Sequence, residues 1–121
     1  MFSECSNLKE LDLKSFNTSN VMDMGYMFYK CSGLTKLDLE NFNTTNVTNM
    51  RSMFHGCSSL ENLEFGENFN TSNVTNMEWV FFVCINLEKL DNINFNTENA
   101  LHKENMFDHC DKLSEDIKNN I

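Results

Sequence analysis

No proline occurs among the 121 residues, and only four glycines and one tryptophan do. Without proline, the backbone N–H groups remain available throughout, as a scaffold of short strands and helices needs. Four glycines leave few places where a backbone could wrap an anion. No glycine-rich phosphate loop, nucleophile elbow or His-Glu-x-x-His is present. Positive charge is also scarce: nine Lys and Arg stand against eighteen Asp and Glu, for a formal net charge of −9. Nucleic-acid binding needs a basic footprint, so that class of partner is excluded. No apolar run approaches the roughly 18 residues of a membrane span, and no membrane insertion of this segment is expected. The opening MFSECSNLKE lacks the basic-then-apolar order of a signal peptide.

What is abundant is regular. Asparagine is the commonest residue, with twenty copies, beside eleven Phe, eight Met and five Cys, and 40% of the chain is apolar. The cysteines (Cys5, Cys31, Cys57, Cys84, Cys110) are spaced by 26, 26, 27 and 26 residues. Met-Phe precedes four of them at the same distance, and Val80-Phe81 precedes Cys84. Leu8, Leu34, Leu60, Leu87 and Leu113 each follow a cysteine by three residues, and Phe-Asn-Thr recurs at Phe16, Phe42, Phe69 and Phe95. Landmarks kept in step over the whole chain make it a tandem array.

Each unit has two halves. Val47, Met50, Met53, Phe54 and Cys57 fall at offsets 0, 3, 6, 7 and 10, the apolar face of a short helix, with the N-cap types Thr44, Thr45 and Asn46 before it. Around Leu37 and Leu39, the polar Lys36, Asp38 and Glu40 alternate, as in a half-buried strand. One strand and one helix cannot bury both faces alone, but stacked units can. The expectation is an α/β solenoid of about 26 residues per coil, with a short parallel strand and a short helix in each. A partial coil over 1–18 precedes coils at about 19–44, 45–71 and 72–97, and a degenerate terminal coil covers 98–121. SEDIKNNI reads either as a polar cap or as decay of the repeat. Met1-Phe2 begins in mid-unit, in register with Met27-Phe28, so the first coil is expected to expose an apolar face.

The Leu8-Leu11-Leu13 and Leu34-Leu37-Leu39 strands match the leucine-rich-repeat strand. The composite MF-x-x-C-x-x-L-x-x-L-D-L-x-x-F-N-T-x-N-V-T-N-M resembles the BspA-type leucine-rich repeat over Met1 to Leu113. More specifically, it resembles the variant found as a domain of unknown function in mycoplasma surface lipoproteins, other bacterial surface proteins and some protist surface proteins. This resemblance implies an extracellular, cell-surface-associated protein of the adhesion or host-interaction type, with no catalytic residues to carry over. Its departures are Val80 for Met, one extra residue at Phe65-Gly66-Glu67, a shift at Asn92-Ile93 and the loss of Leu at Asp116.

In a stack, equivalent residues form columns at roughly the 4.8 Å inter-strand spacing. Asn17, Asn43, Asn70 and Asn96 make one column and Asn20, Asn46, Asn73 and Asn99 another, read as structural ladders that satisfy turn backbone. Five of these asparagines also fall in N-x-[ST] triplets, which the repeat writes for its own reasons. Each cysteine stands alone in its unit. Buried thiols acting as small hydrophobes fit better than metal ligation or inter-coil disulfides. No cofactor or metal is expected; the polar group His102, Glu104, Asp108, His109 and Asp111 falls in variable slots around scaffold residues.

Two faces remain as candidates for contact. Asp12, Asp38, Glu64 and Asp91 form an acidic column on the outward sheet face, beside Glu10, Lys36, Asn62 and Lys89. Stacked like charges suit a basic partner or Ca²⁺, and the plainer reading is a solvated face partly neutralised by Lys36 and Lys89. The second face comes from slots that vary between copies. Tyr26, Ser52, Trp79 and Asn105 precede the repeat Met or Val; Ser3, Tyr29, His55, Phe82 and Asp108 lie two residues after it. On a helix, Tyr26 would share a face with Tyr29 and Trp79 with Phe82. Such aromatics are binding candidates, unless the fourth unit is locally repacked over them. The whole reads as a non-enzymatic module that recognises a protein or glycan on a host or neighbouring cell. The alternative is a structural spacer or a stalk that self-associates end to end.

Overall fold

The computed structural model of the chain describes residues 2–90, 95–119 and 121. Three regular elements occur among them: β1, Lys36–Leu39; β2, Asn62–Phe65; and α1, Glu115–Asn119. Strands β1 and β2 pair in parallel, with Lys36 opposite Asn62 and Leu39 opposite Phe65. The offset is one repeat. Leu37 and Leu39 are buried while Lys36 is exposed, as the alternation predicts. On the other side of each repeat, isolated parallel bridges join Asp23 to Asn49, Asn49 to Asn76, and Asn76 to His102. The chain therefore has a repeating architecture in which each unit is hydrogen-bonded to the next.

The expected helix in each unit is corrected. Among the described residues no α-helix occupies the Met-Phe-x-x-Cys segment; a run of tight turns does. From Met24 to Cys31 the backbone N–H groups alternate in direction. Those of Met24, Tyr26, Phe28 and Lys30 donate to the carbonyls of Asn49, Arg51, Met53 and His55 in the next unit at 2.7–2.9 Å. Those of Met27, Tyr29 and Cys31 donate back three residues, to Met24, Tyr26 and Phe28. The Gly25 N–H is taken by the Asp23 carboxylate at 2.8 Å. Every donor in the segment is thus accounted for, half of them outside their own unit.

Two corners per unit make this path possible. Tyr26 and Lys30, third residues of the 24–27 and 28–31 turns, have φ of 59° and 56°, the type II arrangement. Ser52 and Gly56, Trp79 and Val83, and Asn105 and His109 repeat it, with φ between 55° and 78°. A helix tolerates no such residue and would bond each N–H within its own segment. The apolar spacing is nonetheless a true core signal. Val47, Met50, Met53, Phe54 and Cys57 are all fully buried.

Stacking turns identical side chains into continuous columns. Phe2, Phe28, Phe54, Phe81 and Phe107 lie ring over ring, with centroids 5.2–5.9 Å apart and planes within 8°. A fully buried ring of this kind contributes on the order of 2 kcal/mol. The thiols of Cys31, Cys57, Cys84 and Cys110 donate to the carbonyls of Phe2, Phe28, Phe54 and Phe81 at 2.8–3.1 Å, and all five cysteines are free. The column is apolar packing, as expected, plus one weak hydrogen bond per unit.

Polar columns hold the outer corner. Asn43 Oδ1 accepts the N–H of Thr45, closing an Asx turn, and Asn17, Asn70 and Asn96 do the same for the residues two positions on. The amides of Asn46, Asn73 and Asn99 donate to Ser19, Thr45 and Ser72 of the preceding unit at 2.6–2.8 Å. Between these lies a third column. Thr44 is fully buried, and its hydroxyl both donates to the Asn70 carbonyl and accepts the Asn70 N–H; Thr18 and Thr71 repeat this with Asn43 and Asn96.

The two ends of the stack differ. Phe2, Leu8, Leu11, Phe16 and Val21 are only partly buried against the core. At the other end Ser114 precedes α1, and its hydroxyl caps the Ile117 N–H at 3.2 Å. Glu115 and Asp116 fill its first turn and Lys118 its last, as the helix dipole favours. Ile117 and Ile121 pack on the core, while Ser114, Glu115, Asp116 and Asn119 are exposed.

Candidate recognition faces

The variable slots coincide with the turn corners. Tyr26 and Tyr29 are the first and last residues of one tight turn, closed by the Tyr29 N–H donating to the Tyr26 carbonyl at 3.2 Å. Their rings meet edge to face at 5.3 Å. Trp79 and Phe82 repeat this turn, with ring centroids 6.3 Å apart. Each pair shares a face as the sequence predicts, but through a turn and not a helix.

His55 joins the two pairs. Its ring lies 4.8 Å from Tyr29, 4.9 Å from Phe82 and 6.2 Å from Trp79, and His109 continues the row 5.6 Å beyond Phe82. One aromatic ring per unit thus runs along the stack from Tyr29 to His109. Burial, then the nearby Lys30 charge, pushes the His55 pKa down from its ordinary 6.5, so the centre of the row is a neutral imidazole at neutral pH. Tyr26 is 42% exposed, while Tyr29, His55, Trp79 and Phe82 are half-buried. The fourth unit is therefore packed against its neighbours without being sealed by them.

Arg51 fastens the row. Its guanidinium lies 5.1 Å over the Trp79 ring, donates to the Tyr26 hydroxyl at 3.1 Å and pairs with Glu78 at 2.8 Å. A cation on a ring face of this kind is worth about 0.5–2 kcal/mol, depending on exposure. Lys30 sits likewise 5.1 Å over Tyr29. With its amide oriented to suit its neighbours, Asn105 accepts from Trp79 Nε1–H at 2.8 Å and donates to Asp108 at 2.9 Å.

On the strand side, Asp12 and Glu64 are exposed and Asp38 is half-buried. Asp38 sits opposite Glu64 in the β1–β2 register, and Lys36 reaches Glu64 at 3.5 Å. This exposed pair contributes little energy, but it shows the partial neutralisation expected of the face. Asp12 and Asp38 each also hold a backbone N–H two residues on, Lys14 and Glu40. Open grooves run beside the column, lined by Glu10, Asp12, Asp38, Glu40 and Glu67 together with Lys14. Lys89 is exposed, and Asp91 lies outside the described residues. Among the described residues no three His, Cys, Asp or Glu side chains could hold a metal ion, and no helix is long and apolar enough to cross a membrane.

Comparison with known proteins places this geometry in a family. The family described as Mycoplasma protein of unknown function, DUF285, matches residues 1–67 and again 35–120. The chain belongs to this family. The crystal structure of a T. pallidum leucine-rich-repeat protein (TpLRR) is similar over 78% of this chain, at 16% identity and a TM-score of 0.45. The chain spans 50% of the length of that protein. A search of curated proteins found no match.

Within this member of the family, sequence reasoning names Tyr26, Tyr29, Trp79 and Phe82, and the structure brings all four onto one face. It does not name His55 or Arg51 as contact residues. His55 carries a signal, since it occupies the same variable slot as Tyr29 and Phe82. Arg51 carries none in its own unit, because its partners Tyr26 and Glu78 lie in the units on either side. Glu40 and Glu67, which extend the acidic groove, also pass unnoticed on the sequence.

Proposed function

We propose that the chain is a non-enzymatic recognition module of a cell-surface protein, built on a BspA-type leucine-rich-repeat solenoid. It presents the aromatic row and the acidic strand face to a protein or glycan of a host or neighbouring cell. One observation carries the reading: the slots that the scaffold leaves free hold mutually packed Tyr, Trp, Phe, His and Arg side chains on a single half-exposed face. Those residue types dominate binding hot spots, and rigid aromatic side chains lose little entropy on contact. The solenoid reading is supported by the parallel β1–β2 pair, the buried Leu37 and Leu39, and the one-repeat offset of the turn hydrogen bonds.

Beads coated with the chain should adhere to cultured animal cells. A variant combining Asp38→Lys with Trp79→Leu, chosen to melt as the parent does, should lose at least tenfold in bead retention. Pretreating the cells with protease or with glycosidases then separates a protein partner from a glycan. A spacer gives a different result: beads either fail to adhere or adhere equally well with the variant.

A further inference from the structure

We propose that the aromatic row binds a basic peptide segment of a protein partner, seating a guanidinium or ammonium group on the ring face of Tyr29. This rests on the recognition reading above and names the chemistry that is recognised. The chain itself shows what these faces accept. Lys30 occupies the face of Tyr29 and Arg51 that of Trp79, each 5.1 Å from the ring centroid. Arg51 is tied down by Glu78 and the Tyr26 hydroxyl, whereas Lys30 stands where a partner's cation would bind. Lys30 is exposed on a flexible stem, so an incoming cation displaces it at little cost.

Three features favour a basic peptide over other partners. The chain carries −9 in net charge, which draws a cationic segment in and raises its rate of encounter. A carboxylate flanks the rings, with Asp108 beside Trp79 through Asn105, and it complements a cation that loses water on binding. The rings also meet edge to face, Tyr29 on His55 at 69° and Phe82 on His109 at 86°. Tilted rings offer separate pockets for individual side chains and no single flat platform for a sugar chain. Backbone bonds to the next unit hold Tyr26 and Trp79 at their corners, so the site is formed before the partner arrives.

The test uses an octa-arginine peptide at physiological ionic strength, with octa-glutamate and dextran as comparisons. Trp79 is the single tryptophan, so its emission reports the row directly. Octa-arginine should change that emission and bind by calorimetry, whereas octa-glutamate and dextran should do neither. Replacing Tyr29→Leu keeps every charge and most of the apolar volume while removing the ring face that seats the cation. That variant should lose about tenfold in octa-arginine affinity, in line with one cation–π contact. Equal affinity for parent and variant would mean bulk charge attraction and would overturn the proposal. Dextran binding as tightly as octa-arginine would overturn it in favour of a glycan. Loss confined to an Asp38→Lys, Glu64→Lys variant would also overturn it, moving the cation to the strand face. The recognition reading would survive that result, because it is judged on cell adhesion.

Discussion

Thr44 shows how a single side chain can take over the work of a strand. It is fully buried, and its hydroxyl exchanges two hydrogen bonds with the backbone of Asn70 in the next unit, at 2.8 and 2.7 Å. A Thr oxygen thereby replaces a backbone pair at a corner where the chain turns too sharply for a ladder. Thr44→Val keeps the shape and removes both bonds, leaving an N–H and a carbonyl short of a partner. Each such group costs about 1–3 kcal/mol, so a loss of about 2 kcal/mol or more is expected, and Thr44→Ser should recover most of it. Urea denaturation measures both. A Val variant within about 0.5 kcal/mol of the parent would show that the hydroxyl column carries no stability.

At the scale of the turn element, the limits of sequence reading become physical. The period and the identity of the buried columns are legible, because stacking repeats the same environment every 26 or 27 residues, whereas the strand expected in every unit forms, among the described residues, only at β1 and β2. The aromatic pairs are legible for the same reason, as slots where the repeat relaxes. The turn path is not. Type II corners normally announce themselves with Gly or Asn at the third position, and here only Gly56 and Asn105 do so. Tyr26, Lys30, Trp79 and Val83 hold the corner instead, held there by bonds to neighbouring units that no single unit reveals. An apolar spacing of 0, 3, 6, 7 and 10 then looks helical.

The same corners predict opposite effects in one column. Val83, β-branched at φ 63°, stands where Gly56 stands at φ 78°. A left-handed conformation costs an L-residue about 1–2 kcal/mol, somewhat more than the entropy that glycine adds to the unfolded chain. Val83→Gly should therefore stabilise the fold by up to about 1 kcal/mol. Gly56→Val should destabilise it, since even its Cβ would meet Lys30 Cγ at 3.1 Å. Thermal melts of the two variants decide the matter; a shift of the same sign in both would refute the strain argument.

For the whole molecule, the stacked thiols make stability depend on pH. Burial, reinforced by the neighbouring thiols, raises the Cys57 pKa from 9.0 to about 12. Burial likewise raises Cys110 to about 11 and pushes Cys84 and Cys31 upward. A thiol with a raised native pKa keeps its proton after the unfolded chain has lost it. Its stabilising effect is complete below pH 9 and is lost as pH rises through the native value. Each such thiol sets a slope of about 1.4 kcal/mol per pH unit in that window, so Cys57 and Cys110 together remove about 3 kcal/mol per unit between pH 9 and 11, and Cys84 and Cys31 add to it. Domains of this size rarely hold more than about 5–15 kcal/mol, so stability should fall steeply as pH rises from 9 to 11. His55 acts in the opposite direction at the acid end: its lowered pKa means stability declines as pH falls below 6.5. The decisive measurement is the alkaline slope, taken from denaturant midpoints between pH 8 and 11. Cys57→Ala with Cys84→Ala will lower stability at pH 8 by opening space in the core, yet it should flatten that slope. An unchanged slope would show that the buried column does not set the alkaline limit.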